Sequence, residues 1–154
     1  MNEKRLDKTI AIVTGGSQGL GRAVTETLAQ AGVTVVIGDV KVEQATKVAQ
    51  ELREQGLAIA SRQLDVADET SVQHLVQWVE QEYGQLDILV NNAGTDVTKP
   101  IEALTVQEWD KVLDINLRGP FLMAKAALRL MYQQKRGHII NITSTAAKRA
   151  WPNA

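Results

Sequence analysis

The stretch Thr14-Gly15-Gly16-Ser17-Gln18-Gly19-Leu20-Gly21 decides the fold. It follows a short apolar run, Ile10 to Val13, and opens a helical pattern that continues from Arg22 to Ala31. A strand that turns sharply into a helix through glycines makes a cradle for an anion. Gly15 can take the positive φ that such a turn needs. Gly19 lets phosphate oxygens approach the main chain, and Gly21 lets the helix lie close on the strand. The free N–H groups of the first helical turn face the anion, and the helix dipole adds to the attraction.

An acid at the right distance strengthens this reading. Asp39 ends the run Val33-Thr34-Val35-Val36-Ile37-Gly38, a buried parallel strand by its continuous apolar character. It falls 18 residues after Gly21, against the expected spacing of about 20. Its carboxylate can accept hydrogen bonds from adenosine ribose hydroxyls and would repel a 2′-phosphate, which favours NAD over NADP. Arg22 and Lys41 are nearby cations able to soften that preference. An ATPase-type phosphate loop would need Gly-Lys-Ser/Thr at its end, whereas this one ends Gly19-Leu20-Gly21-Arg22. A methyltransferase using S-adenosylmethionine shares the glycine turn and the acid, so those two features alone leave it open.

The rest of the chain alternates strand and helix. Apolar positions Val24, Leu28 and Ala31 mark the first helix, stopped by Gly32. Ala45, Val48, Ala49 and Leu52 mark a second helix over Val42–Gln55. A third strand lies within Leu57–Leu64. Asp68 reads as the N-cap of a third helix, with Val72, Leu75, Val76, Val79 and Tyr83 as its apolar stripe. Leu86–Asn91 reads as strand four, Val106–Gln134 as one long helix, and His138–Thr143 as strand five. Repeated βα units imply an α/β fold: a Rossmann-type, doubly wound parallel sheet with helices on both faces. All 154 residues fit one such domain, with no repeat or low-complexity break.

Composition removes several classes of function. Hydrophobic content of 44% and charged content of 23% are ordinary for a globular chain. A net charge of −1 gives no attraction for nucleic acid or an anionic membrane. With no cysteine there is neither a disulfide nor a thiolate metal site. Met1 to Lys8 lacks the apolar centre of a signal peptide, and no run reaches the ~18 apolar residues of a membrane span. The expected setting is the cytoplasm. His74 and His138 have no evident metal partner. Trp78, Trp109 and Trp151 read as packing groups.

Several motifs in order resemble the short-chain dehydrogenase/reductase family over the entire chain. Thr14–Gly21 matches its TGxxxGxG turn, Asn91-Asn92-Ala93-Gly94 its NNAG after strand four, and Asn116 the asparagine of its long helix. Asn141-Ile142-Thr143-Ser144 matches the segment ending in its catalytic serine. Asp65-Val66 is similar to the pair that meets the adenine. The resemblance implies that Asn92, Ala93 and Gly94 pass the cofactor. It implies that Asn116 sits in a local helix distortion serving a proton relay, and that Ser144 donates to a substrate carbonyl oxygen. The local run Thr143-Ser144-Thr145 also fits an ordinary turn. The residue type at Asn91, donor and acceptor in one side chain, suits it to tie strands together.

The activity implied is NAD(P)-dependent hydride transfer between nicotinamide and an alcohol or carbonyl substrate, by a homo-oligomer. In the family a tyrosine and, four residues on, a lysine complete the site. Here Tyr83 and Tyr132 are followed at that place by Asp87 and Arg136. The expectation is therefore a truncated chain, inactive alone and prone to associate through the open edge of strand five. The alternative is a non-catalytic dinucleotide-binding module.

Overall fold

The polar and apolar periods of the chain resolve into five strands and five principal helices in the computed structural model, which describes residues 6–144. In order they are β1 (Ile10–Thr14), α1 (Gly19–Gln30), β2 (Thr34–Asp39), α2 (Val42–Glu54), β3 (Ile59–Gln63), α3 (Glu69–Tyr83), β4 (Ile88–Asn91), α4 (Val106–Leu113), α5 (Gly119–Gln134) and β5 (His138–Asn141). A short 3₁₀ turn, Ile101–Ala103, precedes α4. All strand pairings are parallel, in the order β3-β2-β1-β4-β5.

β1 alternates its side chains between two cores. Ile10 and Ile12 face a cluster completed by α3 and α5, with Leu75, Val79, Leu122 and Met123. Ala11 and Val13 face the other, completed by α1 and α2, with Ala29, Val48 and Leu52. A strand covered on both faces has no polar side, which is why β1 and β2 read as unbroken apolar runs. The chain steps outward from β1 to β2 and β3, then returns to place β4 on the opposite side of β1. This reversal leaves a crevice beyond the carboxyl ends of β1 and β4.

Several boundaries differ from the sequence reading. α1 begins at Gly19, so the last glycines of the turn form its first turn rather than precede it. Its buried stripe is Gly21, Thr25 and Ala29, with Val24 and Leu28 only partly buried beside it. Small residues at i, i+4, i+8 let the helix axis approach the sheet closely, which larger side chains would prevent. β5 ends at Asn141, two residues before the expected Thr143.

The single long helix expected over Val106–Gln134 is interrupted by one π turn, Asp114–Arg118. α4 starts at a capping box, where Thr105 Oγ1 accepts from Glu108 N–H and the Glu108 carboxylate accepts from Thr105 N–H. The α2 and α3 stripes stand as read, and Asp68 caps α3 by accepting from Thr70 N–H at 2.9 Å. Trp78 packs edge-on to Tyr83 at 5.7 Å and lies under the Arg62 guanidinium. Trp109 is not the packing group expected, because it sits 51% exposed on α4; Trp151 and Thr145 lie outside the described residues.

Candidate dinucleotide cleft

The glycine turn is held by steric necessity. Gly15 and Gly19 have φ of +65° and +52°, in the left-handed region. A Cβ at Gly21 would lie 2.3 Å from the Gly15 carbonyl oxygen and 2.4 Å from Asn92 Nδ2, so no larger residue fits there. A Cβ at Gly19 would meet nothing within 4 Å. Gly21 is thus a packing requirement, and Gly19 keeps the backbone open on the cleft side. Gln18 supplies no side-chain cap to α1, and no acid occupies its first turn. The helix's leading N–H groups are left for an anion.

Thr14 welds this turn to the segment after β4. Its Oγ1 accepts from Asn92 N–H at 3.0 Å and from Ala93 N–H at 2.9 Å. In return, Asn92 Nδ2 donates to the carbonyls of Thr14 (2.9 Å) and Gly15 (3.2 Å). Two segments almost eighty residues apart therefore move as one piece. Thr14, Gly16 and Ser17 are buried beneath the cleft wall. The Ser17 hydroxyl oxygen has no hydrogen-bond partner among the described residues. Asn91 performs the tie expected of it, its Nδ2 donating to Asn141 Oδ1 at 2.8 Å, which joins β4 to β5.

Asp39 sits at the carboxyl end of β2, only 7% exposed. Its two oxygens accept from Ser17 N–H at 3.2 Å and Lys41 N–H at 3.0 Å. Each oxygen retains capacity for a further donor such as a sugar hydroxyl. The two neighbouring cations differ. Arg22 is engaged by Glu26 at 2.8 Å and Glu51 at 3.0 Å; the Glu26 hydrogen bond is the main reason its pKa is raised. Lys41 instead reaches over the cleft, donating to Gln18 Oε1 at 3.0 Å.

The opposite wall comes from the π turn and the loop after β4. Asn116 Nδ2 donates to the Thr95 carbonyl at 2.7 Å, and Thr95 N–H donates to Asn116 Oδ1 at 2.8 Å. This paired contact resembles a strand pairing made by a side chain, and it fixes the loop against the widened helical turn. Asp65 Oδ1 accepts from Ala67 N–H at 2.9 Å, shaping the bend after β3.

Together these elements enclose a cleft of about 580 Å³, within the range of small-molecule sites. Of the residues singled out by sequence, Gly15, Gln18, Gly19, Leu20, Gly21, Asp39, Asp65, Val66, Asn92, Ala93 and Gly94 line it. Thr95, Lys111 and Ile115 line it as well. Thr95 could have been found as the direct continuation of Asn92–Gly94, whereas nothing local marks Lys111 or Ile115. Ser144 is exposed three residues past β5, at the same carboxyl end of the sheet, and is not among the cleft-lining residues.

A dinucleotide fits this arrangement: an uncapped helix start and open glycine backbone for the anion, and a buried carboxylate for the sugar. Comparison with known proteins agrees. The model of the short chain dehydrogenase family matches residues 9–154. An uncharacterized oxidoreductase of Thermotoga maritima is 38% identical over 148 residues, covering 96% of this chain and 58% of that protein. Galactitol 2-dehydrogenase of Agrobacterium fabrum is 37% identical, covering 94% and 56%. Among solved structures, a gluconate 5-dehydrogenase from Burkholderia cenocepacia in complex with NADP and tartrate superimposes with a TM-score of 0.92 at 35% identity. That match covers 99% of this chain and 61% of the other.

The parallel sheet, glycine turn and NNAG segment define a Rossmann-type α/β domain. The chain belongs to the short-chain dehydrogenase family, whose members bind NAD(P). That assignment sets aside the methyltransferase reading. The chain spans a little over half the length of the curated relatives quoted. Among the described residues no helix is long and apolar enough to cross a membrane.

Proposed function

We propose that residues 1–154 form a single dinucleotide-binding domain of an alcohol/carbonyl oxidoreductase, with NAD preferred over NADP. The observation that carries the reading is the weld at Thr14, which makes the glycine turn and the Asn92–Gly94 segment two walls of one rigid cleft. The bound nicotinamide supplies or accepts the hydride. The first turn of α1, with Gly19 open beside it, would hold the pyrophosphate. Asp65 and Val66 would flank the adenine, and Asn92, Ala93 and Gly94 would line the cofactor's path. Asn116 would serve a proton relay at the π turn, and Ser144 would donate to the substrate oxygen. The setting proposed is the cytoplasm, and the complete oxidoreductase is proposed to work as a homo-oligomer.

Support for NAD comes from Asp39, whose carboxylate would face the 2′-position and is held there by two backbone donors. Arg22 is engaged by Glu26 and Glu51 and would have to leave them to counter it. Lys41 favours a second reading in which both cofactors are accepted, because its ammonium stands beside the same corner. Titration calorimetry with NAD and NADP separates the two. Tighter NAD binding that Asp39→Ala narrows supports the preference, and equal affinities would assign control to Lys41. Binding of neither would end the dinucleotide reading.

These 154 residues contain no Tyr-x-x-x-Lys pair. Losing proton transfer alone costs about 10²–10⁴-fold in rate, so the polypeptide by itself is proposed to be a binding module without turnover. Sustained NADH oxidation with a panel of ketones, lost in Ser144→Ala, would overturn that.

A further inference from the structure

We infer that Lys111 is a phosphate-positioning residue, its ammonium reaching the pyrophosphate of the bound cofactor from the wall opposite the glycine turn. The inference rests on the dinucleotide reading and concerns a residue that no motif marks.

Position is the first argument. Gln134, near the end of α5, exchanges hydrogen bonds with the Leu86 main chain at the foot of β4. Asn116, just before α5, is bonded to Thr95, beyond β4's other end. α5 therefore runs down the sheet, and α4 stands past the carboxyl edge with no buried residue of its own. Lys111 lines the cleft from this overhang, one helical turn before Ile115, on the same face.

Charge is the second argument. The charged residues lining the cleft are Asp39, Lys41, Asp65 and Lys111. Lys41 is held by Gln18 at the Asp39 corner. The acids three residues either side of Lys111 are already paired, Glu108 with Lys99 and Asp114 with Arg118 at 3.7 Å. Lys111 itself has no hydrogen bond or ion pair among the described residues. A pyrophosphate brings negative charge into a cleft whose own charges cancel, and this lysine is the cation that the wall facing the glycine turn offers to meet it, Lys41 standing at the Asp39 corner. A lysine ammonium, a mobile point charge on a flexible stem, suits a ligand that must enter and leave. The structural alternative is that Lys111 merely complements the α4 dipole in its last turn.

The test is calorimetric titration of the 154-residue chain with ADP, 2′,5′-ADP and adenosine, for the wild type, Lys111→Ala and Lys111→Arg. The expected result is ADP binding weakened about two- to fivefold in Lys111→Ala, the range for an exposed ion pair. Adenosine binding should be unchanged, and Lys111→Arg should restore ADP. The ADP deficit should shrink between about 0.01 M and 1 M salt as screening shortens. Unchanged ADP binding, or an equal loss for adenosine, overturns the inference. So does a loss confined to 2′,5′-ADP, which would place the lysine at the 2′-phosphate. A lowered thermal midpoint with intact ADP binding would assign Lys111 to the helix dipole instead. If the wild type itself binds no ADP, the dinucleotide reading falls too; a binding wild type beside an unaffected Lys111→Ala defeats this inference alone.

Discussion

β1 and β5 have similar sequences and opposite fates. Ile10-Ala11-Ile12-Val13-Thr14 is buried throughout, with Ile12 fully inaccessible. His138-Ile139-Ile140-Asn141 pairs with β4 alone among the described residues, and Ile140 is 46% exposed. Both are short, parallel and rich in isoleucine. What separates them is the number of neighbours: β1 has β2 and β4 at its sides and a helix layer on each face. An apolar strand is buried by what covers it, and its own composition does not decide the matter.

The largest expected effect that could break this contrast is a pair of truncations. Ile12→Ala should lose about 2–5 kcal/mol, the range for a cavity in a rigid core. Ile140→Ala should lose less than about 1 kcal/mol, as a partly exposed edge position. Chemical denaturation of the two variants checks this, and equal losses would mean that β5 is as enclosed as β1.

The next prediction concerns the ends of the strands. Thr14→Val keeps the shape of a buried side chain but orphans the N–H groups of Asn92 and Ala93. It should cost about 1–3 kcal/mol and loosen the cleft walls, read as weaker NAD binding together with a lower midpoint. An unchanged midpoint would show that the weld is dispensable.

Edge exposure predicts a smaller, concentration-dependent effect. The side of β5 away from β4, which no other strand covers among the described residues, invites strand-to-strand association. The 154-residue chain should self-associate at micromolar concentration, and Ile140→Lys should reduce the association. Amide exchange should be slower in β1 than in β5. Sedimentation showing a clean monomer, with equally protected strands, would contradict the contrast between them.

The smallest effect is expected at α4, away from both strands. The Glu108 carboxyl is lowered from 4.5 to about 2, first by Lys99 and then by the Thr105 N–H. A lowered carboxyl in the folded state contributes stability above its ordinary value and loses it as pH falls toward 2. Helix α4 should therefore fray selectively on acidification from pH 5 to pH 2, and Glu108→Gln should flatten that dependence. Exchange rates in 106–113 that ignore pH after correction for intrinsic chemistry would remove the capping box from consideration.

How much was legible follows from the range of the interactions. Local signals gave good elements: glycine at left-handed φ, Asp68 as a cap, and apolar stripes at helical spacing in α2 and α3. They misjudged the α1 face, where Gly21, Thr25 and Ala29 rather than larger residues meet the sheet. The apolar period did not show the π turn, because a one-residue widening leaves the period of a long helix nearly intact. Only the family resemblance placed Asn116 in a helix distortion, and its pairing with Thr95, 21 residues away in sequence, carries no local signal.

By itself, the sequence determined the alternation of strand and helix, the glycine turn after β1 and the family to which the chain belongs. These depend on φ/ψ preferences and periodicities that act over a few residues. The tertiary structure alone decided which remote groups meet. It set β4 beside β1, so that Thr14 could bind Asn92 and Ala93. It spent Arg22 on Glu26 and Glu51 while leaving Lys41 over the cleft. It also carried Lys111 and Ile115 on α4 and the π turn to the far wall. Strand order and helix overhang come from covering both faces of one sheet, a demand of the whole chain that no short segment encodes.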